Sequence, residues 1–374
     1  MKRRPDDSAR SAAGASGNPT RETSIEGGHA IAPRLLEWFD THGRNNLPWQ
    51  HPRTPYRVWL SEVMLQQTQV ATVIPYFGRF IAKFPDLAAL AAARLDDVLA
   101  LWSGLGYYSR ARNLHRTAQL CIEHHGGELP RDLEALAALP GIGRSTAAAI
   151  LAQAHGARHA ILDGNVKRVL ARWHGVSGWP GSTATQRTLW AHAQTHTPAT
   201  RLADYTQAIM DLGATVCTRS RPRCADCPVA DGCVARRENL TAVLPQPKPP
   251  RDVPTRRTTM LVVRDADGRV LLERRPPTGV WARLWSLPEV DDAGDAASRL
   301  LERHGVSAPA SRALAPFVHT FSHYRLDVTP LLFDDARATR VADADARWHV
   351  ASDYDALGLP APVRKLLMQL EESR

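Results

Sequence analysis

The chain has 374 residues, enough for two or more domains, and carries a formal net charge of +9. This excess favours a polyanionic partner, although Ala richness with Arg in preference to Lys can also reflect genome composition. No apolar run reaches the roughly 20 residues of a membrane span, and residues 1–28 lack the apolar segment of a secretory signal. We therefore predict a cytoplasmic bacterial protein with no membrane partner, and in the absence of an interface pattern we expect a monomer.

The beginning of the chain changes character near residue 29. Residues 1–28 are rich in Arg, Ser, Gly and Ala, which predicts a disordered, solvated tail. An amphipathic helix is predicted from Ile31 to Asp40. The irregular loop that follows contains Arg44 and Trp49. It is either anchored by a buried Trp or forms one wall of a pocket for an extruded base, which needs stacking and edge contacts.

Glu62 interrupts the apolar face of the next predicted helix. Val58, Glu62 and Leu65 are spaced i, i+4 and i+7, so the carboxyl lies on that face. Most helical Glu residues are on the surface, but burial here raises a carboxyl pKa and makes Glu62 a candidate general acid. The polar residues 66–69 follow. Their amides either suit the edges of bases or form an exposed helix end.

Two Gly-rich turns lead into helices. The first spans residues 102–109, where Tyr107 or Tyr108 is a candidate wedge between bases and Arg110 and Arg112 are candidate phosphate contacts. The alternative is an ordinary turn with a packed Tyr. The second spans residues 139–146 between two predicted helices, and its free N–H groups and the helix dipole suit a DNA phosphate.

Asp163 follows the second turn at the end of a short apolar segment and precedes Gly164 and Asn165. Lys167 and Arg168 come directly afterwards. This order delivers a carboxylate from a packed segment into a cleft that also attracts a polyanion. The alternative interpretation is a plain helix hairpin followed by a turn Asp.

Four of the five cysteines are clustered with the spacing Cys217-x6-Cys224-x2-Cys227-x5-Cys233. So short a span of thiols predicts a metal cage rather than a secreted disulfide framework. An iron–sulfur cluster fits the spacing better than zinc, which more often uses two CxxC pairs, but the spacing leaves both open. The remaining Cys121 is predicted to be a buried thiol. Basic residues of this loop predict either a DNA-facing module or a solvated basic surface: Arg219, Arg221, Arg223, Arg236 and Arg237.

A run of prolines separates the cysteine segment from the rest of the chain. Residues 241–256 contain five prolines and predict an extended, semi-rigid linker. Beyond it, strands are predicted at residues 258–264, 269–273, 317–320 and 324–332, and helices at residues 295–304 and 362–370. The turn at residues 265–268 joins the first two strands. These elements predict a small α+β domain.

From about residue 31 onward, the chain closely resembles the adenine DNA glycosylases of the MutY type. The specific matches are residues 60–69, 104–108, 139–146, 162–166 and the four-cysteine pattern. The resemblance implies a multidomain fold with a mostly α helix-hairpin-helix glycosylase core (residues 29–240), a cluster loop (217–233), the linker (241–256) and a Nudix-like α+β domain (257–374). It implies a [4Fe–4S] cluster held by the four cysteines. The implied substrate is duplex DNA with adenine opposite 8-oxoguanine or guanine.

The resemblance also implies roles for individual residues. Glu62 matches the acid that protonates the departing adenine, and Asp163 matches the carboxylate that stabilises the sugar cation and assists water. Further matches are Arg44 and Gln207 for the adenine pocket, Gln67, Thr68 and Tyr107 for contacts near 8-oxoguanine, Gly141, Gly143 and Ser145 for DNA contacts of the hairpin, and Phe321, Ser322 and His323 for a loop that touches 8-oxoguanine.

Two departures from related patterns narrow the expected activity. Superfamily members that also cut the strand have a Lys where this chain has Ser145, so we expect a monofunctional enzyme that leaves an abasic site. A working Nudix hydrolase needs several carboxylates in the run matching residues 298–305, where Arg299 and Arg303 replace two of them. We therefore expect no Nudix hydrolysis by this domain.

Two other functions remain as alternatives to an adenine DNA glycosylase. One is an endonuclease III-like glycosylase/lyase, and the other is a non-catalytic DNA-binding iron–sulfur protein.

Overall fold

The computed structural model describes residues 31–250, 252–339 and 345–372, so the predicted tail at residues 1–28 lies outside the described residues. These residues form a helical domain followed by an α+β domain, as predicted. Within them, no helix combines the length and apolar character needed to traverse a membrane. The α-helices before the prolines are α1 (Ile31–His42), α2 (Pro55–Leu65), α3 (Val70–Lys83), α4 (Leu87–Ala92), α5 (Leu95–Leu101), α6 (Ser109–His124), α7 (Leu133–Ala137), α8 (Arg144–His155), α9 (Gly164–His174), α10 (Thr183–His196), α11 (Leu202–Asp211) and α12 (Val234–Arg237).

Helix α8 is shared by the two hydrophobic cores of the helical domain. Ile150 and Leu151 pack into a core formed mainly by α2 to α7, whereas Ala148 and Ala149 pack into a second core with α1 and α9 to α11. The small side chains of α8 let helices approach it from both sides. Together with α7 and the intervening turn, α8 forms the predicted helix-hairpin-helix. The cleft between the two cores therefore runs along α8.

Arg110 is buried at the start of α6 and ties two turns together. Its guanidinium donates to the carbonyls of Met64 at 2.7 Å and Gln66 at 2.6 Å, which are at the end of α2. It also donates to Leu105 and Gly106 at 3.1 Å each. Burial lowers the pKa of Arg110 to about 10, so it stays charged at neutral pH. Carbonyls at a helix end lack intrahelical partners, and Arg110 supplies them.

The predicted phosphate contacts at the first Gly-rich turn are corrected by these positions. Arg110 is 7% exposed, and its guanidinium donates hydrogen bonds to backbone carbonyls of the protein. Arg112 donates from Nη1 to the carbonyl of Ala282 in the C-terminal domain at 2.9 Å. Sequence pattern alone could not separate these structural cations from surface ones, because their acceptors are distant in sequence.

Among the described residues, the C-terminal domain is built on a mixed sheet of nine strands. The strands are β1 (Thr255–Asp265), β2 (Val270–Arg274), β3 (Trp285–Ser286), β4 (Glu289–Val290), β5 (Val306–Ser307), β6 (Ser311–Ala313), β7 (Phe317–Thr320), β8 (Arg325–Ala338) and β9 (Ala346–His349). The long strands β1 and β8 are parallel neighbours in the order β3-β2-β1-β8-β5, and the β1–β2 hairpin is antiparallel, as its predicted turn requires.

Each face of this sheet is covered by a helix, because alternate residues of β1 and β8 are apolar on both sides. One core contains Leu366 and Leu367 of α14 (Ala361–Glu372). The other contains Ala296 of the short helix α13 (Ala296–Arg299) and Leu300, which begins the π-helical turn after it. The predicted helix at residues 295–304 is therefore divided: Asp295 ends a 3-10 turn, residues 296–299 are α-helical and residues 300–304 are π-helical.

The two domains are in direct contact. Leu284 of the C-terminal domain is buried in the core of α2 to α7. Arg274 and Asp96 form a two-point ion pair with distances of 2.7 and 2.8 Å. The Tyr108 hydroxyl donates to the carbonyl of Leu359 at 2.6 Å. These contacts place the C-terminal domain beside the first Gly-rich turn of the helical domain.

The described part of the proline-rich segment is not a free spacer. The carbonyl of Leu244 accepts a hydrogen bond of 2.8 Å from buried Arg172 of α9, and Leu244 itself is buried. At the other end, the carbonyl of Pro254 accepts from the backbone of Arg325 at 2.9 Å. The segment is thus anchored at both ends, and β1 begins at Thr255, inside the predicted linker. The boundaries at residues 240 and 256 stay predictions.

We predict that Arg110→Met lowers the free energy of unfolding by about 3 kcal/mol, because several buried carbonyls lose a charged donor together. Thermal or denaturant unfolding of the full chain measures this. Arg116→Met on the same helix is the control: its exposed ion pair with Glu123 contributes about 0–1 kcal/mol. Equal losses for the two variants would contradict the role assigned to Arg110.

Candidate active site

A deep pocket opens between the two cores of the helical domain. Glu62 reaches it from α2 on one side, and Asp163 reaches it from the start of α9 on the other. Predicted site residues that come together here are Arg44, Glu62, Thr68, Ser145, Asp163 and Gln207, beside Trp49 and Arg168. Residues as distant in sequence as Arg44 and Gln207, which are 163 positions apart, thus meet because α8 joins the two cores.

Glu62 keeps a small opening to the pocket, while the surrounding helices remove water from its carboxyl. Gln153 of α8 donates to Glu62 Oε1 at 2.9 Å. Burial and, to a smaller extent, the negative charge of Asp163 raise the pKa of Glu62 to about 7, although the Gln153 hydrogen bond opposes the rise. Glu62 therefore holds a proton in a large fraction of molecules at neutral pH.

Asp163 is the N-cap of α9. Its Oδ1 accepts from the backbone N–H of Val166 at 2.8 Å, and Oδ2 accepts from the Asn165 side chain at 3.3 Å. The sequence predicts a carboxylate at this position, close to Lys167 and Arg168. Burial instead raises the pKa of Asp163, and the hydrogen bonds from Val166 and Asn165 and the charge of Arg168 only oppose that rise. The sequence showed the groups that can donate hydrogen bonds to Asp163, but it could not show how deeply the carboxyl is buried.

The two carboxyls nevertheless differ in the order in which they lose a proton. Asp163 accepts hydrogen bonds from two groups and lies at a helix N-terminus, both of which favour a negative charge. Glu62 accepts from one neutral amide and faces the charge of Asp163. Asp163 therefore ionises first, and its charge keeps the proton on Glu62.

Asp211 at the end of α11 is a polar residue of this site that the sequence interpretation missed. It is 1% exposed and holds both predicted pocket residues. Arg44 donates to it from the backbone N–H at 2.8 Å and from Nε at 2.9 Å, and Gln207 donates from Nε2 at 2.8 Å. In the sequence, Asp211 could have been recognised as an acidic residue that follows Gln207 by four positions, next to the apolar residues of the same helix.

Gln67 and Tyr107 lie outside the pocket, on two exposed turns. Both have left-handed backbones, with φ of 59° and 47°, which is unusual for residues other than Gly. Tyr107 is 52% exposed, and the guanidinium of Arg110 lies 5.5 Å from its ring centroid. Such strain persists only where neighbouring structure enforces it, and Arg110 binds the carbonyl before each of these residues. Thr68 lies deeper, on the pocket wall.

The hairpin residues occupy distinct positions. Gly141 has a φ of +77°, and a Cβ there would lie 2.9 Å from the Asn113 side chain, so only Gly fits. Gly143 is exposed and forms the N-cap of α8. Ser145 lines the pocket, and its hydroxyl accepts from the backbone N–H of Leu162 at 2.9 Å. The hairpin thus leads into the start of α8, where Ser145 forms part of the pocket wall.

The predicted loop of the C-terminal domain lies between β7 and β8, away from the residues that line the pocket. Phe321 is anchored by ring contacts with Trp281 at 5.2 Å and His319 at 4.5 Å between centroids. Ser322 and His323 are exposed at the tip. The anchor holds the loop while leaving two polar side chains free to contact a partner molecule.

The four clustered cysteines are free thiols that line one small pocket beside α9. Arg172 approaches Cys217 with an N–S distance of 3.4 Å. Among the described residues, no three or more His, Cys, Asp or Glu side chains are grouped as ligands of a single metal ion. Cys121 is separate and fully buried, as predicted, and burial raises its thiol pKa to about 11.

Comparison with known families agrees with both halves of the fold. Residues 60–194 match the HhH-GPD superfamily of base excision DNA repair proteins, and residues 259–369 match the NUDIX domain. A solved structure titled as a thermostable thymine-DNA glycosylase aligns over 55% of this chain and 95% of its own, with 27% identity and a TM-score of 0.51. Fold and pocket together define a helix-hairpin-helix protein of the base excision repair type.

Proteins that align with about nine-tenths of this chain identify its family within that superfamily. The adenine DNA glycosylase of Buchnera aphidicola subsp. Schizaphis graminum (strain Sg) is 35% identical over 347 residues, covering 91% of this chain and 98% of that protein. The human adenine DNA glycosylase is 36% identical over 400 residues, covering 90% of this chain and 73% of that protein. The chain belongs to the adenine DNA glycosylase family. The predicted family and fold class are thereby confirmed.

We predict that the Glu62 carboxyl of the free protein titrates with a midpoint of about 7 and loses its proton as the pH rises through that value. Gln153→Leu removes the donor that stabilises the ionised form, so the midpoint should move to higher pH. Carbon-13 NMR of Glu-labelled protein measures the titration, and Glu62→Gln assigns the resonance. Gln194→Leu, at an exposed position of α10, is the control. An unmoved or lowered midpoint in Gln153→Leu would show that this hydrogen bond is not made.

Proposed function

We propose that this protein is a monofunctional adenine DNA glycosylase of base excision repair. It hydrolyses the N-glycosidic bond of adenine opposite 8-oxoguanine or guanine in duplex DNA. The observation that carries the proposal is the pair of unequal carboxyls in one pocket: Glu62 is buried and its pKa is raised, whereas Asp163 accepts hydrogen bonds at a helix N-terminus. Glycosidic cleavage with a basic leaving group needs this combination of an acid and an anion.

The mechanism follows from the chemistry of the bond. Adenine is a poor leaving group as an anion, so Glu62 protonates a ring nitrogen of the extruded base. As the bond breaks, positive charge grows on the sugar, and the carboxylate of Asp163 stabilises it and assists the attack of water. Extrusion of the base costs a few kcal/mol and is easier at a mispair. Arg44 and Gln207 form the adenine pocket.

The absence of a suitable amine supports a monofunctional enzyme. A bifunctional glycosylase/lyase needs a nucleophilic amine at the sugar, and this chain has Ser145 at that place. The Ser145 hydroxyl is engaged as the acceptor for Leu162. Among the described residues that line the pocket, none is a lysine. The product is accordingly an abasic site in an intact strand.

The outer surface supports mispair recognition. Gln67 and Tyr107 project on neighbouring strained turns and are inserted into the duplex near 8-oxoguanine, with Thr68 as a further contact. Gly141, Gly143 and Ser145 meet the DNA backbone at the start of α8. Phe321, Ser322 and His323 contact 8-oxoguanine from the C-terminal domain, which packs beside the Tyr107 turn. Residues 257–374 thus act in recognition.

A [4Fe–4S] cluster held by Cys217, Cys224, Cys227 and Cys233 is part of this proposal. All four thiols line one pocket, and nearby cationic Arg172 donates toward Cys217. Four cysteine thiolates are the usual ligands of such a cluster, and all four are available in this pocket. A cluster held by these four cysteines would tie the loop together, and the exposed arginines of the loop would then face DNA.

The remaining parts of the proposal concern organisation. Residues 29–240 form the glycosylase domain, and residues 241–256 join it to the recognition domain.

In the C-terminal domain Arg303 makes an ion pair of 3.2 Å with Glu273, so a cation of the protein neutralises a carboxylate there. We therefore propose recognition rather than Nudix hydrolysis for this domain. The protein acts as a monomer on chromosomal DNA in the cytoplasm.

We predict that Glu62→Gln abolishes adenine release from an adenine:8-oxoguanine duplex, a loss of at least about a hundredfold, because the amide cannot supply the proton. Mispair binding should be largely retained. Single-turnover chromatography of released adenine and a gel-shift titration measure the two quantities. Exposed Glu123→Gln is the matched control. Near-normal release by Glu62→Gln would remove the assigned acid, and no release by the unaltered protein would favour a non-catalytic DNA-binding protein.

We predict that replacing Phe321, Ser322 and His323 together with Ala reduces the preference for adenine opposite 8-oxoguanine over adenine opposite guanine. Cleavage of the bond itself should change less, since the loop lies outside the pocket. Single-turnover rates and dissociation constants on both duplexes measure the preference. A triple variant with unaltered preference would exclude the loop from 8-oxoguanine recognition.

A further inference from the structure

Asp211 determines which side of the Gln207 amide faces the pocket. An ionised carboxylate only accepts hydrogen bonds, so the amide must turn its NH₂ group toward it. The distance from Gln207 Nε2 to Asp211 Oδ1 is 2.8 Å. Gln207 Oε1 then points away from Asp211, and among the described residues no protein group donates to it. Since Gln207 lines the pocket, its oxygen is available to a bound molecule.

Asp211 is itself held in place from two directions. Arg44 donates to Oδ2 from its backbone N–H at 2.8 Å and to Oδ1 from Nε at 2.9 Å. The Arg44 guanidinium forms an ion pair with the buried carboxyl of Asp211. The Thr215 hydroxyl donates to the Asp211 carbonyl at 2.8 Å, where α11 passes into a π-helical turn. The acceptor that controls Gln207 is therefore held rigidly.

We propose that Asp211 is a specificity-determining residue that acts through Gln207. By fixing Oε1 toward the base, it makes the pocket an acceptor at that point, which suits a base with an exocyclic amine. A base with an exocyclic carbonyl in the same place meets two acceptors face to face and is rejected. This inference rests on the proposed function, because it assumes that the extruded base binds beside Gln207.

The test compares release of adenine with release of hypoxanthine, which carries a carbonyl in place of the amine, each opposite 8-oxoguanine. Asp211→Leu frees the amide to turn, so the preference for adenine over hypoxanthine should fall at least about tenfold. Asp211→Asn keeps a neutral acceptor for Gln207 and should give an intermediate preference. Equal losses of rate on both bases in Asp211→Leu would overturn the proposal, because they would indicate a merely structural residue.

Gln207→Leu supplies the control and the second variant. It should lower the preference by a similar factor, and Asp211→Leu should have no further effect on preference in that background. Circular dichroism and mispair binding check the fold of each variant. If Asp211→Leu does not fold, an unchanged preference in Gln207→Leu alone still overturns the proposal. Failure of the unaltered protein to release either base would instead reject the proposed function.

Discussion

Electrostatic repulsion between two carboxyls in one water-poor pocket is the constraint on which the site depends. Both Glu62 and Asp163 resist ionisation because burial removes water from them. They cannot be equivalent, since Asp163 caps a helix and accepts two hydrogen bonds whereas Glu62 accepts one from Gln153. The first charge therefore resides on Asp163 and keeps the proton on Glu62. An acid and an anion next to each other at neutral pH result from this asymmetry.

The architecture serves that pocket by dividing the helical domain into two cores that share α8. Helix α2 brings the acid from one core, and α9 and α11 bring Asp163 and Gln207 from the other. Because the pocket lies between two packed cores, its buried polar groups need hydrogen-bond partners within the protein. Asp211 meets this need for Arg44 and Gln207, and it also orients them. Packing and specificity are thus decided by the same buried contacts.

Arg110 connects the pocket to the surface where a duplex would bind. Its guanidinium donates to the carbonyl of Gln66 at the end of α2 and to the carbonyl of Gly106 before Tyr107. The strained turns at Gln67 and Tyr107 are therefore held by one side chain and cannot relax independently. The C-terminal domain packs against the next residues along α6, through the bond from Arg112 to Ala282. The wall of the pocket, the projecting turns and the second domain consequently form one continuous set of contacts.

The sequence by itself determined the class of fold, the hairpin, the clustered cysteines and the unusual place of Glu62, because these depend on local spacing and period. It could not determine the depth of the pocket around Asp163, the acceptors of Arg110, or the role of Asp211. Those properties depend on groups far apart in the chain, such as Arg44 and Asp211, which are 167 residues apart. Only the tertiary structure decided them, since desolvation and hydrogen-bond partners arise when distant helices pack together.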